Sequence, residues 1–329
     1  MSSHSTDGAP SSEKSGAPFS VAGGEPLTSR KPVARFAPSP TGPLHLGSLL
    51  AAVGSYLDAR ASGARWLVRI EDLDTPRVIP GCADQHLRVL EAFGFEWDAE
   101  VLRQSTRREA YRAAIAELES AGRIFECSCS RKELAAAGEE SHGYAGTCRH
   151  GPTRPGPTAR RFRIGDRPIH FEDLFQGAQD FNLSTCGDFV VERRDGIASY
   201  QLAVVVDDAF QGVTRVVRGA DLLDSTPWQL DLQSALSLPA PIYGHLPLVV
   251  EPDGAKLSKS RHSVPIDPAQ VSEGLTSTLT LLYQQPPPDL GRMPLMEAWK
   301  WAFEHWSPQA LVGKAQVRCQ RSATCKEIS

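Results

Sequence analysis

The sequence predicts an α/β fold: a doubly wound parallel sheet whose two halves are separated by an insertion. Three observations carry this. An apolar run, Val33-Ala34-Arg35-Phe36-Ala37, stops at Pro38 and Pro40 and is followed by an apolar helix over 46–60 and a buried-strand pattern over 65–70. Strand, helix and strand in that order read as a parallel unit, because parallel neighbours need a crossover and a helix usually provides it. The pattern then returns late in the chain, with strand-like runs at 189–193 and 213–218 around a helix over 200–210. Between Cys127 and Pro157 the composition turns to Cys, Gly, His and Pro, which suits an insertion better than a core.

The remaining elements follow in order. Residues 1–30 are mostly Ser, Gly, Ala and Pro with hardly any periodicity; such a stretch cannot offset its chain entropy by burial and is expected to be disordered. Helices are expected over 83–93, 106–121 and 227–238, the last with Pro227 near its first turn. Leu248-Val249-Val250 followed by Asp253-Gly254 is a hairpin signal, and it leads into Lys256-Leu257-Ser258-Lys259-Ser260. From Pro268 the tail reads as helical, broken by Pro286-Pro287-Pro288, with no strand pattern.

Bulk properties exclude some classes. With 329 residues, 41% hydrophobic and 22% charged, the chain can bury a sizeable core. A net charge of −4 gives no general attraction to nucleic acid, so any such contact must come from a local patch. No apolar run approaches the roughly 18 residues of a membrane span, and no apolar signal core is present, so no membrane partner and a cytoplasmic location are expected. Of seven cysteines, Cys127, Cys129 and Cys148 cluster, and in a reducing compartment that favours a metal over disulfides.

The segment Pro43-Leu44-His45-Leu46-Gly47-Ser48 lies where the first strand hands over to a helix. Ligands bind at the carboxyl ends of parallel strands, and a helix start offers unpaired N–H groups to an anion. Gly47 would let a nucleotide lie against the backbone, and His45 could donate to phosphate oxygens. Further on, Lys256 and Lys259 stand three apart after the hairpin signal, where both could reach phosphates.

Here the chain resembles a family. Arg35-Phe36-Ala37-Pro38-Ser39-Pro40-Thr41-Gly42-Pro43-Leu44-His45-Leu46-Gly47-Ser48 is similar to the first signature of class I glutamyl-tRNA synthetases. Arg69-Ile70-Glu71-Asp72-Leu73-Asp74-Thr75-Pro76-Arg77 resembles the next block, and Lys256-Leu257-Ser258-Lys259-Ser260 the second class signature. Ser48 departs from the pattern, standing where the class carries a second His. The resemblance implies a Rossmann-like catalytic domain that binds ATP with Mg2+ and L-glutamate and makes an aminoacyl-adenylate. It places ATP at His45, Gly47, Ser48 and Lys259, and chemistry on His45, Lys256 and Lys259. Glutamate carries two carboxylates and an ammonium, so arginine forks and one anion are needed. The resemblance maps these contacts to Arg35, Phe36, Ala37, Pro38, Ser39, Glu71, Tyr200 and Arg218, without dividing the carboxylates between the arginines.

Cys127-Ser128-Cys129, then fourteen residues, Tyr144 and Cys148, suit a tetrahedral structural zinc site. General ligand chemistry would prefer His142 or His150 as the fourth ligand; resemblance to the glutamyl-queuosine branch of the family selects Tyr144. Only 69 residues follow Ser260, too few for the anticodon-reading domain of an ordinary glutamyl-tRNA synthetase or the β-barrels of a glutaminyl enzyme. The resemblance is therefore to the truncated branch, whose members esterify glutamate to queuosine in the anticodon loop of tRNA(Asp). The rival readings are a shortened conventional synthetase and a non-catalytic paralogue that binds glutamate or tRNA. The expected layout is an extension over 1–30, catalytic halves over 31–122 and 187–265, a zinc-bearing insertion over 123–186, and a short helical region over 266–329.

Overall fold

Apolar runs and proline stops produce a regular alternation at the start of the fold: β1 (Val33–Phe36), α1 (Leu46–Ala61), β2 (Arg65–Ile70), α2 (Cys82–Ala92), β3 (Leu102–Arg103) and α3 (Arg108–Ser120). There follow β4 (Ile124–Cys127), α4 (Arg131–Ala136), β5 (Ala159–Phe162), β6 (Pro168–Asp173), β7 (Gly177–Asn182), α5 (Leu183–Cys186) and β8 (Phe189–Glu192). The alternation resumes with α6 (Tyr200–Phe210), β9 (Arg215–Gly219), α7 (Thr226–Ala235), β10 (Ile242–Leu246) and β11 (Leu248–Val250), and the chain continues through α8 (Val271–Leu281), α9 (Leu295–His305) and β12 (Gln316–Arg318). The structure is a computed structural model that describes residues 31–136, 144, 146–251 and 266–318. Contacts gather the chain from Pro32 onward into one unit. The extension over 1–30 lies outside the described residues.

The central sheet is parallel throughout, in the order β10-β9-β1-β2-β3. From β1 the chain moves outward through β2 and β3, then returns to the opposite side of β1 to lay down β9 and β10. The direction of winding therefore reverses between β1 and β9, and a crevice opens at the carboxyl ends of those strands. The helix α1 starts from this crevice and runs back buried, with Leu49, Leu50, Val53, Tyr56 and Leu57 among its buried residues. It approaches β10 so closely that a Cβ at Gly54 would lie 2.6 Å from Leu246 Cδ1, and a larger residue there would have to displace that buried side chain.

An aromatic cluster fixes the sheet to the tail. Trp66 is fully buried, stacked on Phe95 at 5.5 Å and meeting Tyr56 edge-on at 5.0 Å; Tyr56 in turn meets Trp299 of α9 at 5.3 Å. The Trp299 indole donates to the Phe93 carbonyl at 2.7 Å. Leu275 and Leu279 of α8 share this core, so the C-terminal helices pack as part of the same core.

The tail differs from its expected form in one respect: β12 is a strand and pairs in parallel with β11, Leu248 opposite Gln316. Three residues are too few for a readable alternation. The described partner of β11 is thus β12, and the expected hairpin turn at Asp253-Gly254 lies outside the described residues. Between α3 and α6 stand an antiparallel sheet, β4-β5-β8, and the β6–β7 ribbon, whose half-exposed strands carry little pattern. Among the described residues, no helix is long and apolar enough to cross a membrane.

Candidate active site

His45 is the N-cap of α1. Its Nδ1 accepts from the backbone N–H groups of Gly47 at 3.1 Å and Ser48 at 3.3 Å. A ring nitrogen that accepts carries no proton, so neutral His45 holds its proton on Nε2 and donates from there. This corrects the expectation of unpaired amides at the helix start: two of them are taken by His45 itself. It also changes the reason for glycine at 47. An added Cβ would lie 3.1 Å from His45 Cε1 and 3.2 Å from Nδ1, so the small residue admits the capping ring. The preceding turn is pinned from α2, where Cys82 Sγ and His86 Nε2 lie 3.1 and 2.8 Å from the Gly42 carbonyl. Lys256 and Lys259 lie outside the described residues. The chain after them is described again at Ile266, whose N–H donates to the Leu44 carbonyl at 3.1 Å, one residue from His45.

A buried ionic cluster sits at the ends of β1 and β2. Asp208 accepts from Arg69 Nη1 at 2.7 Å and from Arg35 Nε and Nη2 at 3.2 and 3.4 Å. Arg69, wholly buried, also donates from Nη2 to Glu71 Oε1 at 3.3 Å. Burial pushes the Asp208 carboxyl up, but Arg35 and Arg69 outweigh it and hold it low. For Glu71 the balance is opposite: burial raises it more than Arg69 and Arg35 lower it. Glu71 is therefore the anion less well served, and an incoming ammonium would favour its charged form. Arg35 gives Nε and Nη2 to Asp208, and among the described residues only its Nη1 has no partner. The Phe36 side chain stacks against Trp66 in the core, and Phe36 lies in register with Val68 of β2. Pro38 accepts from the Glu71 N–H at 3.0 Å, tying that loop to the cluster, while Ser39 is exposed.

Arg218, near the end of β9, differs in kind. Its Nη1 donates to Gln229 Oε1 at 2.8 Å and to the Tyr200 hydroxyl at 3.4 Å. From Nη2 it donates to Thr226 Oγ1 at 3.0 Å and the Leu222 carbonyl at 3.3 Å, and from Nε to His245 Nε2 at 3.1 Å. The guanidinium is buried, fully hydrogen-bonded, and touches no carboxylate among the described residues. It is satisfied as a donor, and the Asp173 carboxylate is linked to it only through the His245 ring. Tyr200 accepts from Arg218, so its own proton is left for another acceptor. Burial above all, with the fields of Glu71 and Asp208, keeps that hydroxyl protonated against Arg218 and Arg35. Arg35, Glu71 and Arg218 stand at or just beyond the carboxyl ends of the neighbouring strands β1, β2 and β9, the side on which the crevice opens, and Tyr200 is joined to Arg218.

Sequence reasoning missed Asp208, Arg69, Gln229 and His245. One signal was available: Asp207-Asp208 are adjacent acids in a helix that is otherwise apolar, Leu202-Ala203-Val204-Val205-Val206. Both are buried, Asp207 accepting from the Tyr111 hydroxyl at 2.6 Å and Gln104 at 3.0 Å.

Apart from this crevice, the three clustered cysteines converge, their sulfurs within 4.8 Å of one another. Cys129 Sγ is 3.5 Å from Cys148 Sγ, and the Tyr144 oxygen lies 3.5 and 3.7 Å from the Cys127 and Cys129 sulfurs. Tetrahedral zinc with sulfur at about 2.3 Å and oxygen at about 2.0 Å separates sulfurs by about 3.8 Å and sulfur from oxygen by about 3.5 Å. These three separations are close to those of ligands on one metal, and the remaining sulfur pairs lie within 4.8 Å. Burial pushes the Cys148 thiol up, yet hydrogen bonds from Tyr144 and the Ser128 backbone bring it down to about 6. His150 is exposed, and His142 lies outside the described residues.

Comparison with known proteins agrees with this geometry. Residues 31–282, well over half of the chain, match the family profile "tRNA synthetases class I (E and Q), catalytic domain". A protein from Aromatoleum aromaticum named Glutamyl-Q tRNA(Asp) synthetase is 53% identical over 280 residues, covering 84% of this chain and 89% of the relative. One of the same name from Geobacter sulfurreducens is 48% identical, covering 87% of this chain and 96% of the relative. Among solved structures, the glutamate-tRNA synthetase from Elizabethkingia anophelis superposes with a TM-score of 0.72 at 27% identity, over 89% of this chain and 68% of that one. The profile match and about half the residues in common along nearly the whole of those relatives show that this chain is a ligase belonging to the glutamyl-Q tRNA(Asp) synthetase family of class I tRNA synthetases.

Proposed function

We propose that the chain activates L-glutamate with ATP, without needing tRNA, and passes the glutamyl group to queuosine in the anticodon loop of tRNA(Asp). Arg218 carries the first half of this reading. A buried cation whose partners are all neutral is suited to a ligand that brings its own negative charge. The carboxylate that reacts loses its charge when it is adenylated, so the lasting partner of Arg218 is the side-chain carboxylate, with the Tyr200 hydroxyl donating beside it. Glu71 takes the ammonium, and the segment from Arg35 through Phe36, Ala37 and Pro38 to Ser39 lines the approach.

In the reaction the α-carboxylate attacks the α-phosphorus of ATP. A carbon–oxygen–phosphorus link forms, the bond to the β-phosphate oxygen breaks, and pyrophosphate leaves with the electron pair. His45, from Nε2–H, and Lys256 and Lys259 meet the charge developing on the departing phosphates, and Gly47 and Ser48 shape the floor. Mg2+ entering with ATP neutralises phosphate charge. The halves over 31–122 and 187–265 form the catalytic domain in this reading, and the described helices α8 and α9 of the region over 266–329 share its core. The names of the relatives, matched along most of their length, support the queuosine acceptor.

The direct test is ATP–pyrophosphate exchange without tRNA. Glutamate should support exchange, and glutamine should be poorer by at least about a hundredfold, because its amide leaves Arg218 unpaired. Exchange that demands tRNA, or equal rates with both amino acids, would contradict the proposal.

In the same reading one zinc ion is held by Cys127, Cys129, Tyr144 and Cys148 and stabilises the insertion over 123–186. Protein purified without chelators should contain about one zinc per chain by elemental analysis. Cys148→Ser should lose it and make the insertion sensitive to protease, since binding energy at a structural site is folding energy. Full zinc content in Cys148→Ser would refute the ligand set; unchanged zinc affinity in Tyr144→Phe would remove Tyr144 from it.

A further inference from the structure

Four of the five Arg218 N–H groups go to acceptors that are neutral by constitution: a phenol, an amide, a hydroxyl and a peptide carbonyl. The fifth goes to His245, which could be neutral or cationic. Asp173 at the end of β6 decides which. Its Oδ2 lies 2.5 Å from His245 Nδ1, and its Oδ1 accepts from the His245 backbone N–H at 3.0 Å. Asp173 is itself fixed, accepting from the Phe175 and Gln176 N–H groups at 3.0 Å each. A guanidinium N–H can only donate, so Nε2 of His245 must accept, and its single ring proton sits on Nδ1 facing Asp173. Both side chains are fully buried, and the Thr226 hydroxyl, 3.3 Å from Nε2, can donate to the same ring nitrogen.

We propose that His245 is a positioning residue for substrate selection: locked by Asp173 as a neutral acceptor, it aims the Arg218 fork without cancelling its charge, and so favours a side-chain carboxylate over the amide. A carboxylate in its place would hold Nε–H equally well and neutralise the pocket. An unrestrained amide could turn its own NH2 toward Arg218. The imidazole bound to Asp173 does neither. The other amide in the shell is restrained in the same sense, because Gln229 Nε2 donates to Gln201 Oε1 at 2.8 Å and so turns its oxygen to Arg218. The inference rests on the assignment of Arg218 to the substrate side chain made above.

The test measures ATP–pyrophosphate exchange for glutamate, glutamine and ATP in the wild type, His245→Leu, His245→Gln and His245→Glu, each checked for folding by circular dichroism. His245→Leu should raise the glutamate KM about 10- to 100-fold, the worth of a hydrogen bond to a charged group, with the ATP KM unchanged. His245→Gln, which can offer an oxygen but is not locked as the imidazole is, should recover only part of that loss. His245→Glu should lower the preference for glutamate over glutamine at least tenfold. Nitrogen-15 NMR of the wild type should find Nδ1 protonated and Nε2 bare, a readout that survives if a variant fails to fold. A folded His245→Leu with unchanged glutamate KM and selectivity, or a wild-type ring protonated on Nε2, would overturn this inference alone. Absence of glutamate-dependent exchange in the wild type would overturn the proposed function and this inference with it.

Discussion

Arg218→Leu should lower kcat/KM for glutamate in ATP–pyrophosphate exchange by about 10²–10³-fold. The loss corresponds to the cost of about 2–5 kcal/mol for removing one member of a buried, hydrogen-bonded charge pair. The KM for ATP should stay within about twofold, because the hydrogen-bond partners of Arg218 are Tyr200, Gln229, Thr226, Leu222 and His245, none of them in the His45 loop. Arg218→Lys should recover only part of the loss: it keeps the charge but cannot fill the five-donor pattern that Tyr200, Gln229, Thr226, Leu222 and His245 complete. A folded Arg218→Leu that activates glutamate at the normal KM would remove Arg218 from the substrate site.

The second large effect is on stability. Asp208→Leu would leave Arg35 and Arg69 in the interior with Glu71 as the one carboxylate still hydrogen-bonded to either among the described residues, and Asp207 acting on Arg69 without a hydrogen bond to it. Breaking one side of such a pair costs about 3–5 kcal/mol, and in a domain of this size that lowers the midpoint of thermal unfolding by roughly 10 °C. Differential scanning calorimetry of the variant measures it. A shift within about 2 °C would mean that Glu71 and Asp207 suffice for both arginines.

These two residues also mark the limit of what the sequence could say. The elements around β1, α1 and β2 are legible because their signals are local: an apolar run, two prolines and a long apolar helix. The three cysteines are legible because two of them lie two positions apart and few other reasons exist for that spacing. Arg35 and Asp208, by contrast, are separated by 173 positions, and nothing near either names the other. That Arg35 is hydrogen-bonded to a carboxylate and Arg218 is not emerges only when α6, α7 and β10 are folded around β9. His45 shows the same limit on a smaller scale. Its place at a phosphate-type loop can be read from the chain, whereas its use of Nδ1 as a helix cap, and hence the proton on Nε2, needs the ring's position. The strand β12 was unreadable for a different reason: three residues cannot establish a period.

The central claim joins an amino-acid site to an unusual acceptor, and one measurement reaches both. Labelled glutamate, ATP and the purified protein are incubated with tRNA(Asp) that carries queuosine, with tRNA(Asp) that lacks it, and with tRNA(Glu), each treated beforehand with periodate to destroy the 3′-terminal diol while queuosine is protected from oxidation. An unpaired anticodon loop can splay its bases into a protein site, and the hydroxyl-bearing ring of queuosine can attack an activated carboxyl as a ribose hydroxyl would. The account predicts label on the queuosine-bearing tRNA(Asp) alone, undiminished by loss of the terminal diol. Label that requires the intact 3′ end of tRNA(Glu) would contradict it and make the protein a shortened conventional synthetase.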